Sequence, residues 1–217
     1  ELFNMRFDPA RANIDDAAIE AKRLAIETTL EQVENLSEDR VLRMYLCLIM
    51  ATTRTNFWRR GQNGERRGFL SFKFDPATIP DLPAPRPHFE IFVYSPRFEG
   101  VHMRGGAVAR GGLRWSDRLE DFRTEVLGLV KAQIVKNTVI PVGSKGGFVL
   151  KRPPAAGDRE ALMAEGVSCY KNFLRGMLDI TDNRKGEQII PPPDVRGPAM
   201  QDPYLVVAAD KGTATFS

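Results

Sequence analysis

Two cysteines and two histidines are all the soft-ligand chemistry that 217 residues offer. Cys47 and Cys169 each fall inside an apolar helical pattern and are read as buried thiols rather than a disulfide. With only His88 and His102 beside them, no zinc site is expected. Long apolar runs are missing too. No stretch approaches the roughly eighteen residues of a membrane span, and the acidic opening ELFNMRFDPARANIDD lacks the basic and apolar regions of a signal peptide. A soluble, cytoplasmic protein is the resulting expectation. Charge of one sign is also scarce: 31 Lys and Arg against 28 Asp and Glu leave a formal +3, too dispersed to imply nucleic acid by itself. No G-x-G-x-x-G fingerprint occurs, so no dinucleotide turn is predicted within these residues. The opening without methionine and the stop at TATFS suggest a piece of something longer.

What is present is enough apolar sequence, 42%, to bury a substantial core. Residues 1–64 read as a helical N-terminal part and 65–217 as an α/β core. Asp15 can cap a helix over roughly 16–34, where Ile19, Ile26, Leu30 and Val33 recur at helical spacing. Ser37 can cap a second helix, VLRMYLCLIMATT, apolar nearly all round and therefore expected to be buried. GFLSFKF and HFEIFVYS read as strands, separated by PATIPDLPAPRP, whose prolines forbid regular pairing. Residues 100–110 suggest a hairpin turning at Gly105 and Gly106. A helix is expected from about 118 to 137, then a short buried strand TVIPV, a tight turn GSKGG and a strand FVLK. Asp158 can cap a helix through about 178, and the apolar YLVVAA predicts a buried strand ending at Asp210. The basic run RRGQNGERR reads as a solvated loop. Strands alternating with helices in the second half argue a mixed, mostly parallel sheet with helices on both faces, preceded by two N-terminal helices.

In such sheets a ligand sits beyond the carboxyl ends of the strands, where Lys145 and Asp210 are expected. Helical phase places Lys136 within about 40° of Phe122, on the inward face. Arg110 and Arg114 in ARGGLRW complete a set of four cations around one carboxylate. Such a set suits a small dicarboxylate, because each carboxylate must exchange hydration for charge-assisted hydrogen bonds. A lysine crowded by positive charge and partly desolvated can act as a base or activate water, an aspartate opposite can relay the proton, and the flanking glycines allow close approach. Taken singly, each residue has a plainer reading: a lysine complementing a helix dipole, glycines making turns, an aspartate capping a helix. A phosphate loop fails, since Lys145 is followed by glycine rather than Ser or Thr.

Together, ARGGLRWSDR, EVLGLVKAQIVKN, PVGSKGG and AADKGTATFS resemble the substrate domain of glutamate dehydrogenases, most closely the large, NAD-specific bacterial class. The family pattern is K-G-G-I-R, a helix ending in lysine, P-x-G-G-A-K-G-G, then an aspartate followed by glycine. By that resemblance Lys136, eleven residues after Glu125, is the helix lysine that holds a substrate carboxylate. Lys145 is the lysine that activates water and Asp210 the aspartate that moves protons. Gly111, Gly112 and Arg114 match the G-G-x-R positions of the first motif, with Arg110 standing where the family has lysine; arginine can bind a carboxylate bidentately. The glycine turn is shortened, with Ser144 before Lys145. The resemblance implies oxidative deamination of L-glutamate to 2-oxoglutarate and ammonia, with NAD as hydride acceptor bound mainly by a domain outside these residues, and a homo-oligomeric parent. On its own the 217-residue piece is expected to turn over no glutamate.

Two other readings compete. One is a basic module binding anions or nucleic acid without catalysis, using Arg104, Arg110, Arg114, Arg118 and Lys131 as an outward stripe. The other is an oligomerisation scaffold built on the apolar helix 38–57. They differ from the first in where the charges point.

Overall fold

The computed structural model describes residues 1–11, 13–136, 143–155, 157–197 and 201–217. Three helices open the chain: α1 (Leu2–Phe7), α2 (Asp16–Leu30) and α3 (Leu36–Ala51). Asp15 caps α2 as expected, its side chain accepting from Ala18 N at 2.9 Å. The cap of α3 is Asn35 rather than Ser37, accepting from the backbone N–H groups of Ser37 and Glu38. Leu2, Ile19, Leu30 and Leu46 form a small core among these helices. The expectation that α3 is buried all round does not hold: Val41, Leu42, Met44 and Tyr45 stand exposed, because α3 packs on α2 and the adjoining strand by one side only.

The rest is a seven-stranded sheet in the order β1-β2-β3-β4-β6-β5-β9. Its strands are β1 (Thr52–Thr55), β2 (Leu70–Phe74), β3 (Phe89–Tyr94), β4 (Phe98–Arg104), β5 (Arg110–Trp115), β6 (Ser144–Leu150) and β9 (Val206–Ala209), with α4 (Phe122–Lys136) and α5 (Arg159–Leu178) between them. A separate two-stranded ribbon pairs β7 (Asn183–Lys185) with β8 (Gln188–Ile190). The first four pairings are antiparallel and only β5–β6 and β5–β9 are parallel. The sheet is therefore mixed but mostly antiparallel. The reason lies in connection length: β3 and β4 are joined by three residues, which permits only a hairpin, whereas β5 reaches β6 through α4, and a helical crossover returns the strand parallel.

The hairpin expected over 100–110 is absent. β4 and β5 flank β6 instead of pairing, and Gly105 N donates to Gly143 O. The TVIPV strand lies outside the described residues. YLVVAA shortens to β9, which pairs along one side with β5 and is largely exposed rather than buried.

Helices do cover both faces. On one, Cys169, Tyr170, Phe173 and Met177 of α5 pack on Phe98, Leu113 and Phe148. On the other, Phe122, Val126, Leu127 and Val130 of α4 pack on Val101, Met103 and Val149. The alternation Phe148 and Val149, each at 1% exposure or less, shows why β6 is the structural spine: both of its faces are dry, and each buried apolar side chain contributes roughly 1.5–3 kcal/mol. Cys169 is a free thiol whose burial pushes its pKa up to about 12. Among the described residues no helix is long and apolar enough to cross a membrane, and no group of three His, Cys, Asp or Glu side chains could hold a metal.

Candidate functional site

On the α4 face, β5 runs parallel to β6 on one side and β9 on the other, with Leu113 level with both Gly146 and Ala209. Side chains alternate, so Lys145, Gly147, Gly112 and Arg114 point toward α4. Asp210 follows β9 immediately. Its carboxylate lies over Gly112, where an added Cβ would come 2.7 Å from Asp210 Cβ and 3.0 Å from Oδ2. Across this open glycine position, Lys145 Nζ donates to Asp210 Oδ2 at 2.7 Å. Lys145 is thus not in a tight turn at the carboxyl end of a strand. It is the second residue of β6, and it reaches Asp210 diagonally because the strand between them has no side chain in the way.

The rest of the site holds Asp210 in place. Arg114 lies 3.6 Å from Asp210 Oδ1 and donates to Glu125 Oε1 at 2.8 Å, while Ser116 Oγ donates to Glu125 Oε2 at 2.6 Å. The turn after Asp210 is closed by Gly212 at φ +84, a conformation that suits glycine. It is pinned by buried Thr213, whose hydroxyl accepts from Asp210 N at 3.0 Å and donates to Leu113 O at 2.8 Å. Burial alone would raise the Asp210 pKa, but the Lys145 hydrogen bond, the Lys211 backbone N–H and the Arg114 charge together hold it below the usual carboxylate range. Burial likewise opposes ionisation of Glu125 and is outweighed by Ser116 and Arg114. The same Glu125 hydrogen bond raises the Arg114 pKa.

Of the four cations expected around one carboxylate, the fold brings two, Lys145 and Arg114, onto Asp210. Arg110 and Lys136 stand exposed. Gln133, one turn before Lys136, donates to Arg110 O at 3.3 Å, so both cations belong to the same end of the site. Neither side chain makes a hydrogen bond or ion pair among the described residues. The inward phase assigned to Lys136 is a correction: the buried stripe of α4 ends at Val130, and the last turn, with Val135 at 70% exposure, extends past the packed strands. Gly111 faces the other side of the sheet, where a Cβ would fall 1.5 Å from Ser144 O; its smallness serves strand approach, not ligand approach.

The outward basic stripe is not formed. Arg104 is 1% exposed and bonded to Asp202, and Arg114 is turned onto two carboxylates. Sequence reasoning missed Ser116, Glu125 as a partner of Arg114, and Thr213. Arg118–Asp121 is a surface pair three residues apart, whereas Arg114–Glu125 joins β5 to α4. The threonine three residues after Asp210 was the one local signal of a pinned turn.

The residues around Lys145 and Asp210 suit a dicarboxylate better than a dinucleotide. The glycines near the site lie inside β5 and β6, and Gly111 is already filled by backbone, so they form no phosphate-cradling turn at a helix start. Two positive side chains without ion pairs beside a lysine–aspartate pair fit a small molecule with two carboxylates.

Residues 25–217 match the family described as bacterial NAD-glutamate dehydrogenase, catalytic domain. The whole chain is 59% identical over 220 residues to an NAD-specific glutamate dehydrogenase of Pseudomonas aeruginosa, covering 14% of it. It is 58% identical over 217 residues to one of Halomonas elongata, covering 13% of that protein, and 52% identical over 227 residues to one of Mycobacterium tuberculosis, covering 14%. The chain thus spans about one seventh of the length of these curated relatives.

Proposed function

The chain belongs to the family of bacterial NAD-glutamate dehydrogenase catalytic domains, and from that premise we propose that it is the substrate-binding part of an enzyme that oxidatively deaminates L-glutamate to 2-oxoglutarate and ammonia. The observation that carries this reading is the 2.7 Å contact between Lys145 and Asp210 above the bare Gly112 position. Arg110 and Lys136 supply the two positive charges for the substrate carboxylates. Arg114, locked between Glu125 and Asp210, positions the aspartate.

NAD, held mainly by residues outside this chain, would when bound accept the hydride from the α-carbon of glutamate bound with its amine deprotonated, so that the substrate becomes an iminium. The residues here act on either side of that loss. The depressed Asp210 carboxylate does not draw the proton in the free site; the positive iminium drives it from the ammonium along the 2.7 Å hydrogen bond, which leaves a neutral amine. That amine takes a proton from water as the water oxygen attacks the iminium carbon. Protonated Asp210 then supplies the proton with which nitrogen departs as ammonia, and the carboxylate so formed takes up the hydroxyl proton as the carbonyl forms and releases it to water. The missing side chain at Gly112 lets Asp210 settle against β5 within reach of Lys145. The parent is read as a cytoplasmic homo-oligomer that takes a dicarboxylate amino acid, with no nucleic-acid or membrane partner.

The test is Lys145→Ala in the full-length protein. We expect kcat/KM for glutamate to fall by about 10²–10⁴ with the melting temperature nearly unchanged. Undiminished glutamate oxidation in that variant would remove the basis of the proposal.

A further inference from the structure

The basic run RRGQNGERR is not simply a solvated loop. An antiparallel bridge between Arg60 and Arg66 folds it back on itself and aims Arg59, Arg66 and Arg67 into a cavity of about 300 Å³ whose walls include Phe57 and Tyr94. Two of these arginines are anchored by Asp179, the C-cap of α5 and only 6% exposed. Asp179 Oδ1 lies 3.3 Å from both Arg59 Nε and Arg67 NH2, and Arg59 also donates to the Asp179 backbone carbonyl at 3.2 Å. One carboxylate therefore orients two guanidiniums without neutralising the group. Three positive charges against one leave a surplus of two, and Arg66 makes no ion pair among the described residues. Its guanidinium carbon sits 5.9 Å from the centroid of the Phe57 ring. Arg67 Nε is buried with no hydrogen-bond partner, which leaves a donor whose desolvation nothing in the protein offsets. Phe57 and Tyr94 are 38% and 37% exposed, Phe57 edge-on to Phe3 and Trp58 and Tyr94 with the Lys151 ammonium 4.6 Å from its centroid, so part of each ring remains open beside the charges.

These features specify a ligand with two parts. A surplus of two positive charges on forked donors suits a phosphomonoester, which carries close to two negative charges near neutral pH and three acceptor oxygens. The two half-exposed rings suit a planar group that stacks. The volume lies at the lower end of ligand pockets and fits one nucleotide rather than two. We infer that the cavity between Arg59, Arg66, Arg67, Phe57 and Tyr94 is a binding site for a nucleoside monophosphate, separate from the substrate site. The separation follows from register. Lys145 is level with Met103, Glu90 and Phe74 across β4, β3 and β2, whereas Leu70 at the cavity is four residues further along β2. Four residues along and three strands across come to roughly 20 Å, so a ligand here does not touch Lys145 or Asp210.

The experiment is equilibrium dialysis of radiolabelled adenosine 5′-monophosphate against the full-length protein, with NAD held at saturation so that any dinucleotide site is filled. Saturable binding is expected that excess glutamate does not displace. Arg66→Gln and Arg67→Gln should each weaken it by about tenfold or more, equivalent to about 1.4 kcal/mol. Adenosine, ribose 5-phosphate and inorganic phosphate should each bind at least tenfold more weakly than the nucleotide. Should Arg67→Gln fail to fold, exposed Arg66 and the ring variant Phe57→Leu carry the test. The inference is overturned if the nucleotide shows no saturable binding under NAD, if glutamate displaces it, if the soluble variants bind it as tightly as the parent, or if ribose 5-phosphate or phosphate alone binds as well.

Discussion

Two lysine–aspartate pairs occupy opposite faces of one sheet, and they have opposite characters. On the α5 face, Lys73 meets Asp202 at 2.5 Å with side-chain exposures of 4% and 9%. Asp202 also accepts from Arg104, itself buried, and the Lys73 ammonium and the Arg104 guanidinium both lie over the Phe89 ring. Nearby, Arg54 is bonded to Asp182. On the α4 face, Lys145 and Asp210 are 22% and 15% exposed, over a position without a side chain, beside cations that have no counter-ion among the described residues. The first pair is enclosed and its hydrogen-bonding capacity is spent on protein partners. The second is reachable, and its surroundings carry uncompensated positive charge. What distinguishes the sealed ion pair from the accessible one is therefore not residue type or distance, which are nearly the same, but access and the charge left over.

Exchanging each aspartate in turn should pull these characters apart. Asp210→Asn is expected to lower kcat with glutamate by about 10²–10⁴ while costing about 1 kcal/mol of stability or less. Asp202→Asn should do the reverse, losing about 3–5 kcal/mol in denaturant unfolding because Lys73 and Arg104 are left buried and uncompensated. Equal stability losses in the two variants would erase the distinction.

A pH series sharpens it further. His102 on the α5 face is 1% exposed, with neither ring nitrogen hydrogen-bonded. Burial, reinforced by the Arg104 charge, lowers its pKa from 6.5 to about 3. A depressed folded-state pKa means that the stabilisation is complete above pH 6.5 and is lost as pH falls toward 3, by about 1.4 kcal/mol for each unit below 6.5. His102→Leu should flatten the stability profile between pH 6.5 and 4.5, read by urea unfolding at several pH values. An unchanged slope would show that the carboxylates alone govern acid sensitivity. Asp210 and Glu125, also depressed, act in the same direction but only below the ordinary carboxylate range.

The smallest effect is expected at Ser116→Ala. Removing the 2.6 Å hydrogen bond to Glu125 should cost about 1 kcal/mol. If Glu125 positions Arg114 and through it Asp210, the variant should also shift the acidic limb of the kcat–pH profile upward, a readout that a purely structural serine would leave unmoved.

Much of the candidate site was legible before the fold. The motif residues Lys145, Asp210, Arg114 and Gly112 do come together, because a short glycine-rich segment and an aspartate ending an apolar strand are local patterns that survive folding. The caps Asp15 and Asp158 were legible for the same reason, each accepting from the N–H three residues on. The network around Arg114 was not. Glu125 and Arg114 are eleven residues apart, and their meeting depends on α4 lying back across β5. Lys73 and Arg104 were less legible still: a lysine inside LSFKF reads as the polar half of an alternating strand, yet it points into the protein toward Asp202, 129 residues away.

By itself, then, the sequence determined the helices and most of the strands, the glycine floor, and the lysine and aspartate that stand over it, since periodicity, capping and turn chemistry act over a few residues. Tertiary structure alone decided that β6 enters between β4 and β5, that the sheet is mostly antiparallel, that Lys136 and Arg110 stand free at one end of the site, and that one lysine is sealed while another is open. Strand neighbours and the desolvation of charge depend on which distant segments cover them, and no local pattern records that.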